Sequence, residues 1–335
     1  MAFFGLDIGT STIKIVQLQK EDGKFRLVSA GITKTPSPGL SSEAEKDLLA
    51  VAEAIKKLKK ETGITPVEAV SSLPENNVFT RVIELPAMSE EEIAQALHWE
   101  LEEVVPIPLA EANFDWQVVR KNSSEVSVLV AVAPKILVEK YLHVFELADI
   151  KPVALETEIL ALVRALKTIG LSKVKLIVDF GANSINLVIA KDEEIILTRC
   201  LPTAGKAITR SISAGLSLEE EVAEEYKKTY GLMADQFEGK IQEAIKPVLN
   251  LLLAEIKKSL EYTADQKKEA VQMIVLSGGG ANFPEFSQIL SKEFGVEVQI
   301  ADPFSPLTGD QNLLTGLKKL SPSFTIAVGL GMKEI

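Results

Sequence analysis

The chain is poor in the residues that build secreted, metal-bound and membrane-spanning proteins. Its one cysteine, Cys200, allows no internal disulfide, and a reducing compartment is expected. Its two histidines, His98 and His143, fall in no Cys/His spacing of a zinc site and read as surface or interface residues. No window approaches the roughly 18 apolar residues of a membrane span. The densest apolar cluster, Val248 to Ile256, is interrupted by Asn250 and Glu255. Met1 runs within two residues into a strand-like segment, leaving no room for a signal peptide. A cytoplasmic chain without direct membrane insertion is expected. Basic residues are also in deficit: 36 Lys and Arg against 47 Asp and Glu give a formal net charge of −11. That argues against a sequence-independent nucleic-acid binder, while leaving a basic peptide as a suitable partner. No GxxxxGK[ST] motif occurs, so a Walker-type phosphate site is absent.

What is present is apolar content of 46% over 335 residues, enough for sizeable cores in about two domains. The opening stretch places an apolar run, Phe3 to Leu6, before Asp7 and the small-residue turn Gly9-Thr10-Ser11-Thr12. A second apolar run, Ile13 to Leu18, leads away. This reads as a β-hairpin with an acid at the end of a buried strand. The pattern returns: Val174 to Val178, then Asp179-Phe180-Gly181-Ala182-Asn183-Ser184, then Ile185 to Ala190. A third strand follows each hairpin, at Phe25 to Thr33 and Ile195 to Cys200. The fold is read as duplicated.

Between the two copies the texture changes. Strand Val78 to Leu85, a helix capped by Ser89-x-x-Glu92, strands Phe114 to Arg120 and Val126 to Val132, and a helix from about Lys135 to Ala148 form an inserted α+β block. Capping boxes are also read at Ser42-x-x-Glu45 and Ser217-x-x-Glu220. Helices are expected over 155–168, from the cap at Ser217 to the stop at Gly231, from about Asp235 with a kink or restart at Pro247, and from Pro284 to Phe294. A small-residue helix over 323–331 closes the chain. The organisation expected is a first core at 1–77, 151–170 and 323–335, an insert at 78–150, a second core at 171–215 and 271–322, and a helical part at 216–270.

Three loops then share one grammar, at 7–12, 179–184 and 277–280, each following an apolar strand. Two facing turns with exposed N–H groups can clamp a polyphosphate, and an aspartate at each strand end, Asp7 and Asp179, can hold its hydrated Mg²⁺. The run Gly278-Gly279-Gly280 lets a flat ring or a phosphate lie against bare backbone.

On these loops the chain resembles the actin-like ATPase superfamily, in which two duplicated, ribonuclease H-like α/β domains flank a nucleotide cleft. Asp7 to Lys14 is similar to its first phosphate loop, Asp179 to Ser184 to its second, and Ser277 to Gly280 to its adenosine loop. Leu155 to Ala165 and Ile326 to Gly331 resemble its connecting helices. The inserted block resembles the extra subdomain of the FtsA and PilM branch. Glu255-Ile256-Lys257-Lys258-Ser259-Leu260-Glu261-Tyr262 and Leu155-Glu156-Thr157-Glu158 point to the PilM family of type IV pilus assembly.

That resemblance implies ATP and Mg²⁺ as cofactors, with Asp7 and Asp179 organising the metal and Asp179 near the attacking water. It implies phosphate contacts from Gly9, Thr10, Ser11, Gly181, Ala182 and Asn183, and a point charge from Lys14. Glu224 and Lys227 would hold ribose and adenine. Glu158 would position water, with Glu156 an equal alternative by one helical shift. Ile185 stands where relatives often carry threonine, which implies clear ATP binding with slow or negligible turnover. The implied partner is the cytoplasmic N-terminal peptide of a PilN-type membrane protein, bound beside the insert. The insert's aromatics Trp99, Trp116 and Phe114 read either as core or as the lining of a peptide groove, and its acidic runs Glu90 to Glu92 and Glu100 to Glu103 either as a solvated helix face or as a match for a basic peptide. The protein would be peripheral to the inner membrane through that pilus platform, without the C-terminal membrane helix of FtsA. Self-association is left open, as are an FtsA-like filament-forming ATPase and, more remotely, a small-molecule kinase.

Overall fold

Strand order makes the duplication explicit in the computed structural model, which describes residues 2–233 and 236–335. The first half runs β1 (Phe3–Ile8), β2 (Thr12–Glu21), β3 (Lys24–Lys34), α1 (Glu45–Thr62) and β4 (Glu68–Leu73). The insert follows as β5 (Phe79–Pro86), α2 (Glu90–Val104), β6 (Ala112–Lys121), β7 (Glu125–Pro134) and α3 (Lys135–Leu147). Next come β8 (Lys151–Thr157), α4 (Glu158–Ala165), β9 (Val174–Phe180), β10 (Ile185–Lys191) and β11 (Glu194–Leu201). Then α5 (Gly205–Leu216), α6 (Glu220–Tyr230), α7 (Lys240–Gln266), β12 (Met273–Ser277), α8 (Phe286–Phe294) and β13 (Glu297–Ile300) follow. The chain closes with β14 (Thr308–Gly309), α9 (Gln311–Leu317) and α10 (Thr325–Gly331).

The first sheet has the order β14-β3-β2-β1-β4-β8 and the second β11-β10-β9-β12-β13. Apart from the two-residue β14, each is an antiparallel three-strand meander whose first strand continues into two parallel neighbours. The expected α/β class with duplicated actin-like lobes is therefore observed.

Alternation along the strands decides the layers. Phe4, Leu6 and Ile8 face α1 and α3, in one apolar cluster with Leu48, Val51, Ile55, Tyr141 and Phe145. Leu176, Val178 and Phe180 likewise face α5, α7 and α8. The opposite faces of both sheets meet α4 and α10, which cross between them. A Cβ on Gly329 would sit 1.9 Å from the Ala161 carbonyl oxygen, and one on Gly5 would sit 2.3 Å from that of Ala327. The small residues of α10 thus let it press against both α4 and β1.

Several boundaries differ from the sequence reading. Residues 151–157 are a strand, and α4 begins only at Glu158, because pairing with β4 overrides the helix propensity of Leu155 and Glu156. The Ser89–Glu92 capping box forms. The one at Ser42 does not: Ala44 is the N-cap, and the Ser42 hydroxyl donates to Asp47. Ser217, in the left-handed region at φ 53°, ends α5 instead of starting α6. Glu285 is the N-cap of α8, whose first residue, Phe286, lies two residues after the expected start at Pro284. The expected start near Asp235 lies outside the described residues. From Lys240 the helix α7 continues unbroken through Pro247, an exposed position where the lost backbone hydrogen bond faces solvent. α3 turns its buried residues toward α1 in the first lobe, while α2 covers the inserted sheet, whose order is β5-β7-β6.

Candidate functional site

Because Phe4, Leu6 and Ile8 point outward, Asp7 lies on the inner face of β1; Asp179 lies on the inner face of β9 by the same count. Each acid stands just before a two-residue turn. The Gly9 amide donates to the Thr12 carbonyl at 3.1 Å, and the Gly181 amide to the Ser184 carbonyl at 3.0 Å. A Cβ on either glycine would lie 2.9 Å from that carbonyl oxygen, so both turns need glycine. The Gly9 and Gly181 amides, expected as phosphate donors, are thus spent closing their turns. The amides of Thr10, Ser11, Ala182 and Asn183 make no hydrogen bond among the described residues, leaving two adjacent free donors per turn.

The residues opposite the two acids differ. Lys14 pairs with Asp7 in register and donates to its Oδ2 at 2.9 Å, both side chains being buried. Opposite Asp179 stands Asn186, the seventh residue after the aspartate as Lys14 is in the first hairpin. Its Nδ2 donates instead to Glu158 Oε2 at 2.9 Å. Asp179 accepts from the Ser277 hydroxyl at 2.9 Å. Burial pushes the Asp179 pKa up to about 6, a rise that the Ser277 hydrogen bond opposes and the Asp7 charge reinforces.

Glu158, the first residue of α4, also accepts from the Glu75 amide at 3.2 Å. Burial, followed by the charges of Asp179, Asp7 and Glu75, pushes its pKa up to about 8. Glu156 belongs to another network: Arg164 grips it at 2.7 and 2.9 Å, and Lys333 reaches it at 2.8 Å. Arg164 also donates to the Gly329 carbonyl, so this cluster braces the α4–α10 crossing. Of the two glutamates, Glu158 is the one grouped with the aspartates.

Sequence reasoning missed Asn186 and Glu75. The first was detectable from its offset of seven from Asp179, matching Lys14. The second lies two residues past the end of β4, the parallel neighbour of β1, and burial pushes its pKa up to about 7. Glu75 Oε2, Thr80 Oγ1, Thr157 Oγ1 and Asn186 Oδ1 are buried without a hydrogen-bond partner among the described residues, and two of these residues, Glu75 and Asn186, are those that bond Glu158. Ile185 is buried among the outward apolar residues of the second lobe. The residue proposed to weaken a polar contact in the cleft therefore points away from it.

The glycine loop lies on Phe180. A Cβ on Gly280 would meet the Phe180 ring at 1.6 Å, and one on Gly278, at φ +79°, its backbone at 2.6 Å. A Cβ on Gly279 would meet nothing within 4 Å, so that face is open. Lys227 donates to the Gly205 carbonyl at 3.0 Å, Thr209 at 2.9 Å and Glu224 at 2.5 Å. The Gly205 and Lys206 amides in turn donate to the Gly181 and Ala182 carbonyls at 3.3 and 2.8 Å. Glu224 and Lys227 thus brace the start of α5 against the second turn. No group of three or more His, Cys, Asp or Glu side chains forms a metal cage among the described residues.

Two lobes of one strand order, matched aspartate turns and crossing helices between the sheets define an actin-like ATPase fold. A family model described as type IV pilus assembly protein PilM matches residues 5–335, and the chain belongs to that family. A solved PilM–PilN type IV pilus biogenesis complex contains a chain 29% identical, with TM-score 0.86, the match covering 98% of this chain and 97% of that one. Cell division protein FtsA of Streptococcus pneumoniae serotype 2 is 22% identical over 346 residues, 90% of this chain and 75% of that protein. MreB5 of Spiroplasma citri bound to AMPPNP shares the fold at TM-score 0.53 and 13% identity, over 98% of this chain and 94% of that one. The chain is thus an actin-like scaffold protein of type IV pilus assembly, and the FtsA-like reading is not favoured.

Proposed function

We propose that the chain binds Mg²⁺–ATP between its two hairpins and, in that state, serves as a scaffold on the inner-membrane platform of the type IV pilus. The observation that carries this reading is the matched pair of turns, each with two free amides beside a buried aspartate. The residues fit the nucleotide: Thr10, Ser11, Ala182 and Asn183 amides with Lys14 for the phosphates, Asp7 and Asp179 for a hydrated Mg²⁺, and the open face at Gly279 for the base. Bound Mg²⁺ would supply charge neutralisation on the phosphates. The nucleotide-bound MreB5 is an example of this fold holding such a ligand.

Glu158 is a buried carboxyl coupled by charge to the two aspartates. Burial and the charges of Asp179, Asp7 and Glu75 push its pKa up to about 8, so it holds a proton more tightly than an ordinary carboxylate. Slow or negligible turnover is part of this reading, in which occupancy rather than cycling is what the cleft supplies.

None of the described helices is long and apolar enough to cross a membrane. The partner in this reading is the cytoplasmic N-terminal peptide of a PilN-type membrane protein, through which the chain would attach; a solved complex that pairs PilM with PilN supports a partner of that kind. Helix α2 offers Trp99, 72% exposed, among Glu100, Glu102 and Glu103, a surface complementary to basic residues. Calorimetric titration of Mg²⁺–ATP tests the core of the proposal. Binding to the unaltered chain and its loss in the Asp7→Ala, Gly279→Asp double variant are expected; equal affinity in both would refute the site.

A further inference from the structure

The inserted sheet lies against both lobes at once. Its α2 face is closed by Ile93, Leu97 and Leu101. On the other face, Val78, Ala131 and Ala133 join the α1–α3 cluster of the first lobe. Val82, Val119 and Leu129 instead join the layer containing Ile195 of β11, the edge strand of the second lobe.

A polar rim follows this second seam. The Thr198 hydroxyl donates to the Thr80 carbonyl at 3.1 Å. Arg120 reaches Glu194 at 3.4 Å and Glu84 at 3.5 Å, and Lys267, the residue that caps the C-terminal end of α7, also pairs with Glu84. The seam continues into the acid cluster, because Cys200 of β11 stands opposite Asn186, the residue that holds Glu158.

A body bound to two lobes must release one of them if the lobes separate. The insert is covalently continuous with the first lobe through β4 and β8, and shares an apolar cluster with it. Its hold on the second lobe adds to the apolar contacts a set of partly exposed ion pairs, which salt screens. The second seam is the one that yields.

We propose that the insert is a strap across the two lobes, latched to β11 and to the C-terminal cap of α7 by Glu84, Arg120, Glu194 and Lys267, and that releasing this latch opens the cleft. The link to nucleotide release rests on the nucleotide reading above; the latch itself does not.

Hydrogen exchange on the full chain without nucleotide tests the latch. Exchange in 79–86 and 194–201 is expected to rise about tenfold in the Glu84→Gln, Arg120→Gln variant. The same segments should respond to Lys267→Gln, and in the unaltered chain to raising salt from about 0.05 to about 0.5 M. Unchanged exchange at β5 and β11 under all three overturns the strap. Dissociation of a fluorescent ATP analogue should accelerate in the same variants. Faster exchange with an unchanged dissociation rate overturns the coupling. A failure of the unaltered chain to bind nucleotide would strike the nucleotide reading alone, leaving the exchange result to decide the latch.

Discussion

In the first hairpin Lys14 stands opposite Asp7 and neutralises it at 2.9 Å, whereas in the second the same place is held by Asn186, whose amide crosses to Glu158 at 2.9 Å. The backbones agree down to the carbonyl that a Cβ would strike at 2.9 Å. Duplication has preserved the shape of the turn while its charge diverged. The first turn carries its own cation. The second is left with a buried acid whose pKa sits near 6, supported by a neutral hydroxyl. Such an acid favours whatever brings positive charge, and a nucleotide's divalent ion does so.

Making the turns alike should break the comparison most severely. Lys14→Asn strands Asp7 in a buried site, and removing one partner of such a pair costs about 3–5 kcal/mol. Urea denaturation should show a loss of that order, and the nucleotide should bind more weakly. Asn186→Ala removes one of the two hydrogen bonds to Glu158, with an expected cost of about 1–3 kcal/mol by the same assay.

The smallest effect is on pH dependence. The folded chain holds Glu158 near 8, Glu75 near 7 and Asp179 near 6, all above the ordinary carboxylate range, mainly through burial. Raised acids favour the protonated form, so their stabilisation is full at low pH and drains as pH rises through those values. The nucleotide-free chain should therefore lose about a few degrees of Tm between about pH 6 and pH 9. Glu158→Gln should flatten that slope.

How much of this was legible follows from where each interaction originates. Asp7, Gly9, Asp179 and Gly181 were readable because strand, acid and glycine turn are adjacent in the chain. The Ser89–Glu92 cap was readable for the same reason. Asn186 was not, since its partner Glu158 is on the other lobe, although alternation from Asp179 would have turned it inward and Ile185 outward. Glu75 depends on the neighbouring strand and on α4. The boundary at Glu158 was hidden because helix-forming residues were drawn into strand pairing with β4. That same boundary separates Glu156, spent on Arg164, from Glu158 among the acids.

The claim that the second turn awaits a divalent cation has a direct measurement: calorimetry of ATP with and without Mg²⁺, on the unaltered chain and on Asp179→Asn. The account predicts that Mg²⁺ strengthens ATP binding to the unaltered chain and that this enhancement disappears when Asp179 is neutral. An equal Mg²⁺ enhancement in both proteins would contradict it.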